Sequence, residues 1–207
     1  MAIVLDGSSA AGIVNLGTNG TISNLAVGGL PDGIVDTDMI AANAVTAAKR
    51  SAGAIVAVTQ TVKSDTGSSS TAQGAYSGAL ISHSHAAASS SNKLLIIANV
   101  NLSVNSTAAT YATLHIGGSP SAFRGDAASN RNRTSASARS GTSGGLESFT
   151  IVYLHSSPST SSTAYDIRGS HANDATQTFY INRTSSDTDA DYEARCASSI
   201  IIIEVAG

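Results

Sequence analysis

His83-Ser84-His85 is the pair of side chains best spaced for metal chemistry. On a strand, residues two apart project to the same face, so both imidazoles could reach one ion, and three such pairs around a threefold axis would offer six nitrogens. The same pattern also describes a polar strand end beside a Ser/Ala loop. That reading is preferred, and no metal or other cofactor is expected. Asp187-Thr188-Asp189-Ala190-Asp191 places carboxylates at alternate positions, as at the start of a calcium loop. Tyr192 and Ser198 stand where that loop requires Gly and Glu, so a polar hairpin is the better assignment.

Catalytic groupings do not emerge. His115, His155 and His171 lie in separate runs, and Glu147, Asp166 and Glu193 form no readable carboxylate pair. Neither a Gly-x-Ser-x-Gly elbow nor a phosphate-binding loop is present, so the chain is not expected to be an enzyme. The single cysteine, Cys196, excludes an intrachain disulfide and suits a small buried filler before a strand. Arg131, Arg133 and Arg139 sit in a Ser/Asn/Ala-rich stretch without aromatics and read as a solvated loop. With Arg124 they are the candidates for a distal recognition loop. A net charge of −3 without clustered basic excess argues against a nucleic-acid partner.

The elements that must carry these residues fall into two parts: residues 1–52, an attachment and linker segment, and residues 53–207, one compact domain. Ala2–Leu5, Ile13–Leu16 and Thr21–Val27 are short β-type runs, each followed closely by Gly. A helix is expected at about 36–50, capped by Asp36, with Asp38 in its first turn and Lys49-Arg50 at its end. Its apolar stripe of Met39, Ala42 and Val45 is narrow and marginal alone. Together with Ile13, Ile22, Leu25 and Val27 it is the candidate surface for trimerisation or attachment.

From residue 53 the pattern is all-β. Eight runs read as strands: Ala54–Val62, Ala79–His85, Lys93–Val104, Tyr111–Ile116, Leu146–His155, Ala164–Arg168, Thr176–Asn182 and Ser198–Val205. The long connections Asp65–Ala75, Ser119–Gly145 and Thr184–Ala190 read as loops. This spacing predicts an antiparallel, jelly-roll-like β-sandwich. Leu94–Ile97 and Ile200–Ile203 do not alternate, which predicts central strands buried on both faces. Four consecutive isoleucines at an exposed edge would invite aggregation, so the last strand belongs inside the sheet or at a trimer axis. The composition, 42% hydrophobic but 4% aromatic and 12% charged, makes a thin core and favours burial between subunits. A secretion signal and a membrane-length apolar run are both missing, so a soluble product of a bacterial cytoplasm is expected, without membrane insertion.

Residues 28–49, with Gly28-Gly29-Leu30-Pro31-Asp32-Gly33 leading into Ile34–Lys49, resemble a linker of tail-fibre-type proteins of marine and freshwater bacteriophages. Gly53–Val56, Ser91–Ile96, Tyr180–Thr184 and Ile200–Gly207 resemble the domain that follows that linker. The resemblance implies a virion component, usually a homotrimer, whose first segment fastens to other phage structural proteins of the tail, baseplate or capsid. Its last domain would face outward toward a host surface receptor. The resemblance carries no catalytic residue. Longer members have an extended shaft that is missing here, so a short tail fibre or tail-attached adhesion protein competes with a capsid decoration protein that stabilises the head.

Overall fold

The structure, a computed structural model, describes residues 51–107, 109–139, 143–173 and 175–207. The expected β-runs and helix of residues 1–50, with Ile13, Ile22, Leu25, Val27, Met39, Ala42 and Val45, lie outside the described residues. Among those described there are eleven strands and no helix: β1 (Ile55–Lys63), β2 (Gly67–Thr71), β3 (Ile81–His85), β4 (Lys93–Val104), β5 (Thr110–Ile116), β6 (Ser119–Pro120), β7 (Ala136–Ala138), β8 (Glu147–His155), β9 (Thr163–His171), β10 (Gln177–Ile181) and β11 (Ser198–Val205).

All strand pairs are antiparallel, in two sheets. In the first, β1 pairs β11, β11 pairs β4 and β4 pairs β8, while β10 continues beside the far end of β4 and carries β2 on its other edge. In the second, the order is β3-β9-β5, and β6 and β7 share the outer edge of β5. Alternation decides which side chains fill the space between the sheets. Ile96, Leu102, Ile151, Ile200, Ile202 and Phe179 from one sheet and Leu114, Tyr165 and Ile167 from the other are almost wholly buried there. Each such side chain contributes roughly 1.5–3 kcal/mol by leaving water. The sheets come close where the Phe179 ring lies over Gly169: a Cβ on Gly169 would stand 2.5 Å from a ring carbon.

β11 lies between β1 and β4, the interior position its isoleucines require. The expectation that it and the start of β4 are buried on both faces needs correction. Ile200 and Ile202 are buried, but Ile201 and Ile203 are only half-covered, and Leu95 and Ile97 follow suit opposite Leu94 and Ile96. Among the described residues, the outer face of this sheet is left partly open. Three strands fall inside stretches read as loops. β2 is Gly-Ser-Ser-Ser-Thr and carries no apolar alternation, so its pairing to β10 rests on backbone bonds and a Ser70–Thr178 hydroxyl contact of 2.8 Å. β6 and β7 are two short pieces of one edge strand interrupted by residues 121–135.

Asn182, just after β10, holds a corner. It has φ +64°, is fully buried, and its amide donates to the carbonyls of Lys63 (2.8 Å) and Asp65 (2.9 Å) while its oxygen accepts from Ser198 Oγ (2.5 Å). Asparagine tolerates the left-handed conformation better than other side chains and here supplies both kinds of partner. No described helix is long and apolar enough to cross a membrane.

Candidate functional site

His83 and His85 do share one face of β3, but that face points into the seam between the sheets, not toward an axis outside the molecule. Across the seam, β1 offers Thr59 and Thr61 and β11 offers Glu204. Thr59 Oγ1 lies 2.9 Å from His83 Nε2 and 3.2 Å from His85 Nδ1, and Thr61 Oγ1 lies 2.8 Å from His83 Nδ1. His85 Nε2 is 3.2 Å from the Glu204 carboxylate, which also accepts from Ala88 N–H (2.7 Å) and Asn92 Nδ2 (2.6 Å). All four imidazole nitrogens therefore have protein partners, and no group of three His, Cys, Asp or Glu among the described residues is placed to hold a metal ion.

Burial, reinforced by the neighbouring His85, holds the His83 pKa below the ordinary imidazole value. Burial opposes the Glu204 carboxylate, but its bonds from Asn92, Ala88 and His85 prevail and keep its pKa below the usual glutamate value. Burial and the Glu204 charge push Tyr165 up to about 12. The seam is thus a line of Thr, His and Glu that ties the edge strand β1 to the opposite sheet. Sequence inspection could find the histidine pair but not Thr59, Thr61 or Glu204, which lie on other strands and reach it only across the sandwich.

A second polar group occupies the outer face of the β3-β9-β5 sheet. Asp166 accepts from Ser82 Oγ (2.6 Å) and pairs with Arg168 (2.9 Å), and His115 stands opposite Asp166 in register with Tyr76 packed edge-on against it. The serine bonds the carboxylate directly and no histidine stands between them, so this is a clasp across β3 and β9 without a proton relay. His115 Nε2, Arg168 Nε and Ser121 Oγ are buried without a hydrogen-bond partner among the described residues. Of the other carboxylates considered, Glu193 accepts from the hydroxyls of Thr184, Ser186 and Thr188. Asp187 pairs with Arg195 at 2.6 Å and Arg183 at 3.7 Å. The alternating aspartates therefore belong to an internally bonded turn.

The four arginines do not converge at one tip. Arg124, Arg131 and Arg133 belong to the excursion 121–135, closed by Gly125 N–H on the Thr134 carbonyl, which leaves from the middle of the β5 edge. Arg124 and Arg133 are spent on backbone carbonyls of the excursion itself, at 2.9 and 2.7 Å, and a cavity of about 280 Å³ lined by Phe123, Arg124 and Thr134 lies there. Arg139 follows β7 and is exposed.

The two ends of the sandwich differ. At one, the chain enters and finishes together: Gly53 N–H bonds the Ala206 carbonyl and Ala206 N–H the Ala54 carbonyl. At the other, the connections after β4 and β9 and the turn before β8 meet. Gly144 N–H bonds the Val104 carbonyl, Ser185 N–H bonds Gly144, and Asn173 bonds Ser106.

The uncovered face of the first sheet is organised in rows across β1, β11, β4 and β8. Nearest the end where the chain enters, the face begins with Ile55, Val205 and the exposed Lys93, and the following row reads Val58, Ile203, Leu95, Leu154. The next reads Gln60, Ile201, Ile97, Val152. Beyond them the rows turn polar: Val62, Ser199, Asn99, Thr150, and then Asn101 with Ser148. Val58 is 60% exposed, Val62 58%, Val152 50% and Leu154 49%. No protein-family model matches the chain. No curated protein matches it either.

Proposed function

We propose that this chain is a non-enzymatic structural subunit of a bacteriophage particle, a short trimeric tail fibre or tail-attached adhesion protein fastened through residues 1–52. The observation that carries the reading is the two-ended layout. The chain enters and leaves the sandwich at one end, while the polar connections 105–107, 143–146, 172–173 and 183–190 gather toward the other. Such a layout suits attachment below and contact above, since recognition usually resides in loops held on a rigid scaffold. The contact surface is assigned to these end connections. The excursion bearing Arg124, Arg131 and Arg133 opens sideways.

We read the sandwich as a jelly roll, the winding common in viral shells and lectins. If β1, β3, β4, β5, β7, β8, β9 and β11 are taken as its eight strands, the first pairs the last, the second the seventh, the third the sixth and the fourth the fifth. This is one antiparallel ribbon folded over itself. Neither the Thr-His-Glu seam nor the Ser82-Asp166-Arg168 clasp presents an activated nucleophile in an open pocket, which supports a structural role.

Electron cryomicroscopy of intact particles tests the reading. Density for the sandwich is expected on the tail, with the 105–107 and 143–146 end pointing away from the particle. Density confined to the head would replace it with the capsid-decoration alternative, and absence from the particle would reject both.

A further inference from the structure

We propose that the apolar outer face of the β1-β11-β4-β8 sheet is the contact between copies of this chain, standing parallel with their chain-entering ends level. The inference deepens the functional reading and rests on it only for the number three. Several observations select a second copy as the occupant. The first is extent. Val58, Val62, Val152 and Leu154 are each about half exposed or more and join Leu95, Ile97, Ile201 and Ile203 in one contiguous patch, and large contiguous apolar patches of this kind on a monomer mark interaction surfaces.

The second is charge. From Val58 to Leu154 and from Gln60 to Val152 the face carries no ionisable group. The nearest charge on this face is Lys93, at its chain-entering margin beside Val205, so the apolar rows themselves offer nothing to a partner recognised by electrostatic complementarity. The third is self-complementarity. Parallel copies set apolar rows against apolar rows, and Ser199, Asn99, Thr150 and Ser148 against the same hydroxyls and amides. Antiparallel copies would press Asn101 and Ser148 onto the Leu95 row and strand their hydrogen-bonding groups.

The edges agree. Among the described residues β8 pairs only with β4, and from Ser148 to Leu154 it has none of the Pro, Gly or Lys residues that protect an exposed edge strand. A neighbour that covers the face beside this edge would remove the hazard.

The test uses the full chain with Cys196→Ser, so that a thiol can be placed at will. Leu154→Cys puts it on the face, and Tyr192→Cys puts it on a turn whose side chain is 77% exposed. Mass by sedimentation equilibrium and the rate of maleimide labelling are then measured. The expected mass is three times the 20.7 kDa chain, with position 154 labelled slower than position 192 by roughly an order of magnitude or more, because a thiol buried in an interface is shielded from reagent. Val152→Asp should lower the mass or bring the labelling at 154 up to the rate at 192. A monomer at every concentration would overturn the proposal. So would an oligomer in which both thiols react equally fast, since the copies would then meet elsewhere. A dimer with a shielded Leu154→Cys would support this face and remove the trimer from the functional reading. Location on the particle tests that reading separately.

Discussion

Acidification should loosen the sandwich, and the direction follows from its histidines. His83, His115 and His155 all have pKa values below the ordinary imidazole value, first because burial disfavours the imidazolium. The groups facing His83 are Thr59 and Thr61 on β1, His85 on its own strand and Tyr165 beside it on β9, while Glu204 of β11 bonds His85. Each depressed histidine binds its proton more readily in the unfolded chain. Stability is therefore full above about pH 6.5 and falls as the pH drops through that value toward the lower folded ones. Glu204 has the same sign in a lower window: its contribution is present above about pH 4.5 and lost below.

The ceiling on the slope is about 1.4 kcal/mol per pH unit for each histidine held neutral, hence up to about 4 for the three, against a typical total stability of about 5–15 kcal/mol. Urea unfolding midpoints measured between about pH 8 and pH 5.5 should be flat at the alkaline end and decline below about 6.5. His83→Gln keeps a polar partner for Thr59 and Thr61 but cannot titrate, so its decline should be shallower whatever its midpoint at neutral pH. A midpoint that is unchanged or higher at the acid end, or a His83→Gln slope equal to that of the parent, would refute the reasoning.

Two substitutions probe the corners that hold the sheets together. Asn182→Ala removes two amide donations and one acceptor from a fully buried site and leaves a methyl side chain at φ +64°. A loss of about 3–5 kcal/mol is expected from three bonds and a strained backbone, read as a lowered urea midpoint with unchanged slope. Gly169→Ala places a carbon 2.5 Å from the Phe179 ring, and overpacking of this kind costs about 1–3 kcal/mol. Adding Phe179→Leu should restore part of that loss, and thermal unfolding of the pair against each single change measures the coupling.

The strands of the core were legible because a half-buried strand writes its burial into every second residue. Lys93–Val104 and Ser198–Val205 have the same limits in sequence and structure, although there the unbroken apolar runs Leu94–Ile97 and Ile200–Ile203, not alternation, marked the strands. β2, β6 and β7 were not legible, since Gly67–Thr71 and Ala136–Ala138 bury little and are fixed by the strands they pair with. The seam was half legible. His83 and His85 announce themselves, but their partners lie 22 to 119 residues away in sequence and meet them only when the sheets stack.

The isoleucines of β11 show where the same logic misleads and why the error is useful. An unbroken apolar run normally marks a strand covered on both sides, yet Ile201 and Ile203 are only half-covered among the described residues. Hydrophobic patterning records the environment of the working assembly, whereas a single chain supplies only part of that environment. If the pattern is taken as a description of the assembled state, the missing layer must come from outside the described sandwich, and it must match two apolar rows with hydroxyl-rich rows beyond them. Lys, Asp or Glu at Val58, Ile97, Val152 or Leu154 would have kept this face in water at almost no cost to the fold. Their absence is better explained by a surface meant to be covered than by the demands of the sandwich, whose own core lies wholly on the other side of these strands.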